Sequence, residues 1–212
     1  MAILDEISEM VQKGKAKDVV ALVNRALDDG LSAQEILDRG LLKGMGELGV
    51  RFKNNEVFVP EVLIAARALN QGSAVLKPKL AEEGAKSVGT VVLATVAGDL
   101  HDIGKNLVRM MMEGVGLTVI DLGVDVPDDK IVEAVKEHNP NIVALSALLT
   151  TTMDQQGSVI KALQTAGLRE KVKIMVGGAP ITQGFCDTIG ADAYSPDAST
   201  AAEVAKQLAL AN

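Results

Sequence analysis

VGTVVLATVAGDLHDIGKNLVRMMMEGVGLTVIDLG, residues 88–123, decides the fold. Its first eight residues, 88–95, form a nearly continuous run of apolar and β-branched side chains, as in a strand covered on both faces. A glycine-flanked loop follows, then a helical stretch (104–116) and a second β-rich run, LTVIDLG (117–123). Strand, helix and strand in this order make a βαβ unit, and such a unit belongs to a parallel sheet.

Downstream the alternation continues. NIVALSALL (141–149), VKIMVGG (172–178) and the short ADAY (191–194) read as strands. Between and after them lie DDKIVEAVKEH (128–138), SVIKALQTAG (158–167), ITQGFCDTIG (181–190) and ASTAAEVAKQLAL (198–210), all helical. The pattern predicts an α/β domain over residues 87–212. We expect a flavodoxin-like, Rossmann-type, five-stranded parallel sheet, doubly wound with right-handed connections and helices on both faces. Ligands of such sheets bind at the carboxyl ends of the strands.

Upstream, residues 1–84 read as helices throughout. Leu4, Ile7 and Val11 form one stripe, and Val19 to Leu27 a second that stops at Gly30. Ser32-Ala33-Gln34-Glu35 is a capping box ahead of Ile36, Leu37, Leu41, Met45 and Leu48. Val62, Leu63, Ala66, Leu69 and Leu76 form a fourth stripe behind Pro60, a residue suited to a first helical turn. Short connections predict a four-helix bundle, with a linker at Pro78–Lys86. The segment FKNNEVFVP (52–60) is expected to be a connector, and its two phenylalanines suggest that it covers something.

Composition narrows the function classes. The 212 residues are 48% hydrophobic and 23% charged, enough apolar surface for a core and too much for a disordered chain. A net charge of −7 leaves no basic face for nucleic acid. One cysteine excludes a disulfide framework, and no Cys/His cluster has zinc spacing. Neither a membrane span nor a signal segment is legible, so a cytoplasmic protein is expected.

If function sits at strand ends, the first βα turn matters most. It reads Ala97-Gly98-Asp99-Leu100-His101-Asp102-Ile103-Gly104-Lys105-Asn106 and lacks both glycine-rich phosphate-binding patterns. Two readings stand for His101: a helix cap in a tight turn, or a metal ligand whose second nitrogen is held by Asp99. A single protein ligand holds a bare ion poorly, so the second reading implies a preformed macrocycle. Two other strand ends favour it. Ser146 to Thr152 (SALLTTT) is rich in small hydroxyls, and Gly177-Gly178 would let a ligand approach backbone.

Asp99-x-His101-x-x-Gly104, then Ser146-x-Leu148 after 41 residues, then Gly177-Gly178 after another 28, resemble the cobalamin-binding module shared by methionine synthase and the corrinoid proteins of methyltransferase systems. The N-terminal half is similar to that family's helical cap, so the resemblance covers essentially the whole chain. It implies a base-off, His-on corrinoid (cobalamin, as methylcobalamin), with His101 as the lower axial cobalt ligand and Asp99 behind it. Gly98, Asp102, Ile103 and Gly104 complete the cofactor loop. Ser146, Leu148, Gly177 and Gly178 line the slot for the nucleotide tail, and Thr150 contacts the corrinoid. Thr152 falls where methionine synthase has the serine of its ligand triad; the hydroxyl is kept and a methyl branch added. Phe52, Val59 and Val62 match apolar residues above the corrin.

The function implied is that of a methyl carrier. Cobalt as Co(I) accepts a methyl group through a substrate-specific methyltransferase. Methyl-Co(III) then delivers it through a second methyltransferase to tetrahydrofolate or coenzyme M, and a reductive activator restores oxidised cobalt. The chain is thus a subunit of an enzyme system. Two rival classes share the module: the cobalamin subunit of a radical mutase, and a cobalamin-dependent sensor or regulator. The absence of tryptophan and of a basic recognition helix weighs against the sensor.

Other conspicuous residues receive plainer readings. His138 is expected at the surface near a helix carboxyl end, Cys186 as buried filler, and Met110-Met111-Met112 as core packing. Turn and cap roles are expected for Asp121 and Asp125. Tyr194-Ser195-Pro196-Asp197 ends the last strand beside the expected cofactor edge.

Overall fold

The computed structural model of the protein describes residues 3–83 and 87–211. The chain divides into two compact units, one built essentially from residues up to Ser87 and the other from Val88 onward.

The first unit is helical. Helix α1 (Ile3–Gln12) buries Leu4, Ile7 and Val11, and α2 (Ala16–Asp28) buries Val19, Val23 and Ala26. The stop at Gly30 is real: its φ is +86° and its N–H reaches the Leu27 carbonyl at 3.0 Å. Ser32 caps the next helix by accepting the Glu35 N–H at 3.1 Å. That helix begins as α3 (Ala33–Glu35), widens into a π-helical stretch (Ile36–Leu42) and continues as α4 (Lys43–Lys53). The π stretch is invisible to a 3.6-residue periodicity, because one wide turn only shifts the apolar stripe. Helix α5 (Val59–Glu82) closes the unit, with Pro60 in its first turn.

Two expectations need correction. Pro78 lies inside α5, so residues 78–82 are helix and not linker; Gly84–Lys86 lie outside the described residues. Phe52 sits in the last turn of α4 instead of a connector, which shrinks to the residues between Lys53 and Val59.

In the second unit, strands β1 (Thr90–Thr95), β2 (Thr118–Asp121), β3 (Ile142–Ser146), β4 (Lys173–Gly177) and β5 (Ala193–Tyr194) form one parallel sheet in the order β2-β1-β3-β4-β5. The helices are α6 (Ile103–Gly114), α7 (Asp128–His138), α8 (Asp154–Thr165), α9 (Gln183–Ile189) and α10 (Ala198–Leu210). The doubly wound expectation holds.

The step from β1 to β2 runs opposite to every later step. With right-handed crossovers, α6 therefore lies on one face and α7, α8 and α9 on the other. The core agrees. Ala94, Val143, Leu145, Ile174 and Val176 share one cluster with Ile131 and Val135 of α7, Val159, Ile160 and Leu163 of α8, and Cys186 of α9. Side chains alternate along a strand, so Thr95, Ser146 and Gly177 point to the other face. The order reverses between β1 and β3, which opens a crevice at their carboxyl ends.

Candidate functional site

Both strands flanking that crevice deliver chain into it. After β1, Gly98 turns with φ +78° and its N–H is accepted by Asp125 Oδ1 at 2.7 Å. The Asp125 N–H in turn reaches the Asp99 carbonyl at 2.9 Å. Thr95 Oγ1 donates to the His101 carbonyl at 2.9 Å, which pins the loop to the end of its own strand.

Asp99 is completely buried. Its Oδ1 accepts His101 Nδ1 at 2.7 Å and the His101 N–H at 3.1 Å. Its Oδ2 accepts the Leu148 N–H at 2.7 Å, Thr152 Oγ1 at 2.7 Å and, more weakly, the Leu149 N–H at 3.4 Å. Burial pushes this carboxyl's pKa up, but donors from Leu148, Thr152 and His101 outweigh it and hold the group below the usual carboxylate range. Asp99 is therefore ionised and accepts only.

That fixes the imidazole. Facing an acceptor, Nδ1 must carry the proton, so Nε2 is left with its lone pair. The His101 side chain is half exposed, and among the described residues Nε2 has no partner. Around it the surface is unusually apolar: Leu100 is 72% exposed and Ile103 81%, and Leu148 and Leu149 are also exposed. A nitrogen with a free lone pair set in an apolar rim has the chemistry to ligate a metal carried within a flat, largely apolar group.

Gly104 tests that fit. A Cβ there would meet no heavy atom within 4 Å, and its φ is not of the kind that requires glycine. The protein's own packing gives no reason for a bare backbone in the first turn of α6. A bulky group lying close to His101 does. Among the described residues no three His, Cys, Asp or Glu side chains could hold a metal ion together.

The other strand ends are disposed as follows. Ser146 is half-buried at the tip of β3, aligned with Thr95 on one side and Gly177 on the other. Gly178 has φ +130°, and a Cβ there would lie 1.8 Å from the Ala147 carbonyl oxygen, so its glycine is required by the chain itself. Gly177 is under no such constraint, since its nearest neighbour would be the Ser195 carbonyl oxygen at 3.4 Å. Thr150 is exposed and Thr152 buried. Asp102 is exposed and accepts Asn106 Nδ2 at 3.1 Å at the start of α6.

In the helical unit, Phe52 is half-buried, Val59 is 38% exposed and Val62 is wholly buried in the bundle. The exposed apolar surface there comes instead from Phe58 (64%), Leu63, Ile64 and Val50. Of these the sequence pointed to Phe58 as one of two phenylalanines that cover something and placed Leu63 on an apolar stripe, and it did not single out Ile64 or Val50. The signal for Ile64 was present in FVPEVLIAA (58–66), whose apolar positions exceed one helical stripe.

Among the secondary candidates, Cys186 and Met112 are core residues and His138 lies at the end of α7. Asp121 does more than turn the chain. Besides accepting the Gly123 N–H at 2.9 Å, both its oxygens hold the buried Lys105 ammonium at 2.6 Å, with Arg109 at 3.3 Å.

Comparison with known proteins settles the family. A family model described as B12 binding domain matches residues 89–205, and a second with the same description matches residues 3–77. The chain belongs to the B12-binding corrinoid proteins. It is 44% identical to the dimethylamine corrinoid protein of Methanosarcina barkeri, over 97% of each chain. The trimethylamine corrinoid protein of the same organism is 46% identical over 90% of this chain and 88% of its own. Among solved structures, a cobalamin-binding protein from Desulfitobacterium hafniense DCB-2 is 35% identical with a TM-score of 0.79, covering 97% of this chain and 98% of that one. The methanol:cobalamin methyltransferase complex MtaBC of Methanosarcina barkeri contains a chain 30% identical with a TM-score of 0.89, covering 99% of this chain and 80% of that one. Among the described residues no helix is long and apolar enough to cross a membrane.

Proposed function

We propose that His101 Nε2 is the lower axial ligand of a corrinoid cobalt, bound base-off and His-on, in a protein that carries methyl groups between methyltransferases. The observation that carries this reading is the imidazole clamped by Asp99 through Nδ1 at 2.7 Å while Nε2 is free in an apolar rim. When bound, the corrinoid supplies a cobalt that takes up and gives up a methyl group; the remaining functions fall to the chain.

Asp99 keeps the proton on Nδ1 and so leaves the Nε2 lone pair available to a ligated group. Thr152 and the Leu148 N–H keep Asp99 ionised and fixed, so the triad holds the imidazole in one tautomer and one orientation. Leu100, Ile103, Leu148 and Leu149 exclude water around the ligand. Gly98 and Gly104 keep the loop tight and low, with Asp102 and Thr150 at its polar margin. Ser146, Gly177 and Gly178 receive the displaced tail.

A cap role for the helical unit, residues 1–84, toward a cofactor held by residues 87–212 draws on its own apolar surface, to which Phe52 and Val59 contribute while Val62 is packed inside the bundle. Its exposed Phe58, Leu63 and Ile64 belong to the same role. Partners are a substrate-specific methyltransferase, a second one serving tetrahydrofolate or coenzyme M, and a reductive activator, all in the cytoplasm. The similarity to methylamine corrinoid proteins favours a methylated amine as the methyl source.

Anaerobic reconstitution with cobalamin tests this. Electron spin resonance of the Co(II) form should show nitrogen splitting that changes with ¹⁵N-histidine labelling and disappears in His101→Ala. Splitting unaffected by either would remove His101 from the metal.

A further inference from the structure

One row of aligned residues crosses the carboxyl ends of four strands. Thr95 pairs with Ser146, and Ser146 with Gly177. Ser195 follows the Val176–Tyr194 pair, and its carbonyl oxygen lies 3.4 Å from a Cβ position on Gly177. Residues in one row share a face, here the one turned away from the core cluster of α7, α8 and α9. Tyr194 packs against that cluster, so its neighbour Ser195 points the opposite way.

The row's hydroxyls are not equivalent. Thr95 Oγ1 is used, donating to the His101 carbonyl at 2.9 Å. Ser195 is 7% exposed, and its Oγ is buried without a hydrogen-bond partner. A buried hydroxyl left unpaired is costly, and an alanine would pack there without that cost. Helix α10, which follows immediately and packs on β3, buries only small side chains: Ala198, Ser199, Ala201, Ala202, Ala205 and Ala209. None of them belongs to the opposite cluster. A bare Gly177 thus lies between Ser146 and an orphaned hydroxyl, beside a helix with no bulk.

We propose that Ser195 is a tail-binding residue: its hydroxyl hydrogen-bonds the nucleotide arm of the corrinoid from the side of Gly177 opposite Ser146. This rests on the corrinoid reading above, and it makes Ser195 a determinant of which corrinoids the protein accepts. A corrinoid lacking the nucleotide arm gains nothing from this hydroxyl.

The test compares two ligands on the full chain. Wild type and Ser195→Ala are titrated anaerobically with cobalamin and with cobinamide, which lacks the nucleotide arm, and binding is followed by absorbance. Loss of one hydrogen bond should weaken cobalamin about 5- to 10-fold in Ser195→Ala. Cobinamide affinity should stay unchanged. Ser195→Leu, which fills the space, should lose cobalamin far more severely while still binding cobinamide, a built-in check that the variant is folded. Equal affinity of wild type and Ser195→Ala for cobalamin would mean that only water meets the hydroxyl, and the proposal falls. Equal weakening of both ligands would show a structural role for Ser195 and would overturn the proposal as well. A wild-type protein that binds neither ligand would instead overturn the corrinoid reading itself.

Discussion

Thr152 Oγ1 and the Asp99 carboxylate meet at 2.7 Å across 53 residues of sequence. This one bond joins the loop after β1 to the loop after β3, and it is the point at which the fold and the imidazole's orientation become the same problem. The added methyl branch of threonine does not displace the hydroxyl, which also donates toward the Leu149 carbonyl at 3.1 Å. A continuous hydrogen-bond chain thus runs from Thr152 through Asp99 to His101 Nδ1.

Thr152→Val should therefore behave very differently from Thr152→Ser. Valine keeps the shape and strips one donor from a buried carboxylate, with an expected loss of about 1–3 kcal/mol in urea unfolding of the cofactor-free protein. Serine keeps the bond and should cost less than about 1 kcal/mol. Similar losses for both would show that packing, not the hydrogen bond, is what Thr152 supplies.

The imidazole tautomer is open to direct measurement. In ¹⁵N NMR of cofactor-free protein at pH 9, where imidazole is neutral, His101 should show a protonated Nδ1 and a bare Nε2. Asp99→Asn removes the obligate acceptor and should shift the population toward the ordinary Nε2–H form. A wild-type spectrum already dominated by Nε2–H would contradict the clamp.

How much of this is legible in the chain depends on range. Asp99, His101 and Gly104 lie within one turn of sequence, and runs such as Val91–Thr95 have no use outside a covered parallel strand. Loop and sheet can therefore be read directly. Pro78 cannot. A proline reads as a helix break because it lacks an N–H and crowds the preceding turn, yet α5 carries the exposed Pro78 through and continues only to Glu82 beyond it. The spacing in α5 suggests one inward stripe, but Leu63 and Ile64 are exposed, since periodicity identifies a helix without saying how wide its buried face is. The orphaned Ser195 hydroxyl depends on the register of a two-residue strand, which no local pattern specifies.

Lys105 and Asp121 should behave as a unit. The lysine side chain is almost fully buried, and its ammonium contacts both Asp121 oxygens at 2.6 Å and Asn106 Oδ1 at 3.1 Å. Asp121→Ala strands that charge and should cost about 3–5 kcal/mol. Replacing both together, Lys105→Met with Asp121→Ala, should cost less than Asp121→Ala alone, because no buried ion is left uncompensated. A double-mutant cycle by chemical denaturation measures this, and simple additivity would mean that the pair is solvated rather than coupled.

The two adjacent glycines separate folding from binding. At Gly178 an alanine must hold φ near +130° with its Cβ 1.8 Å from the Ala147 carbonyl oxygen, so β3 and β4 have to part at their ends. Gly178→Ala should lose at least about 2 kcal/mol of stability from strain and overpacking together. At Gly177 the same methyl would find ordinary contact, 3.4 Å from the Ser195 carbonyl oxygen, and the cofactor-free protein should unfold within about 1 kcal/mol of wild type. Yet that methyl stands between Ser146 and Ser195, on the floor proposed for the corrinoid tail. Gly177→Ala should therefore bind cobalamin much more weakly while keeping its affinity for cobinamide. If Gly177→Ala were the unstable variant, or if it bound cobalamin as wild type does, the tail would have to lie on some other part of the sheet.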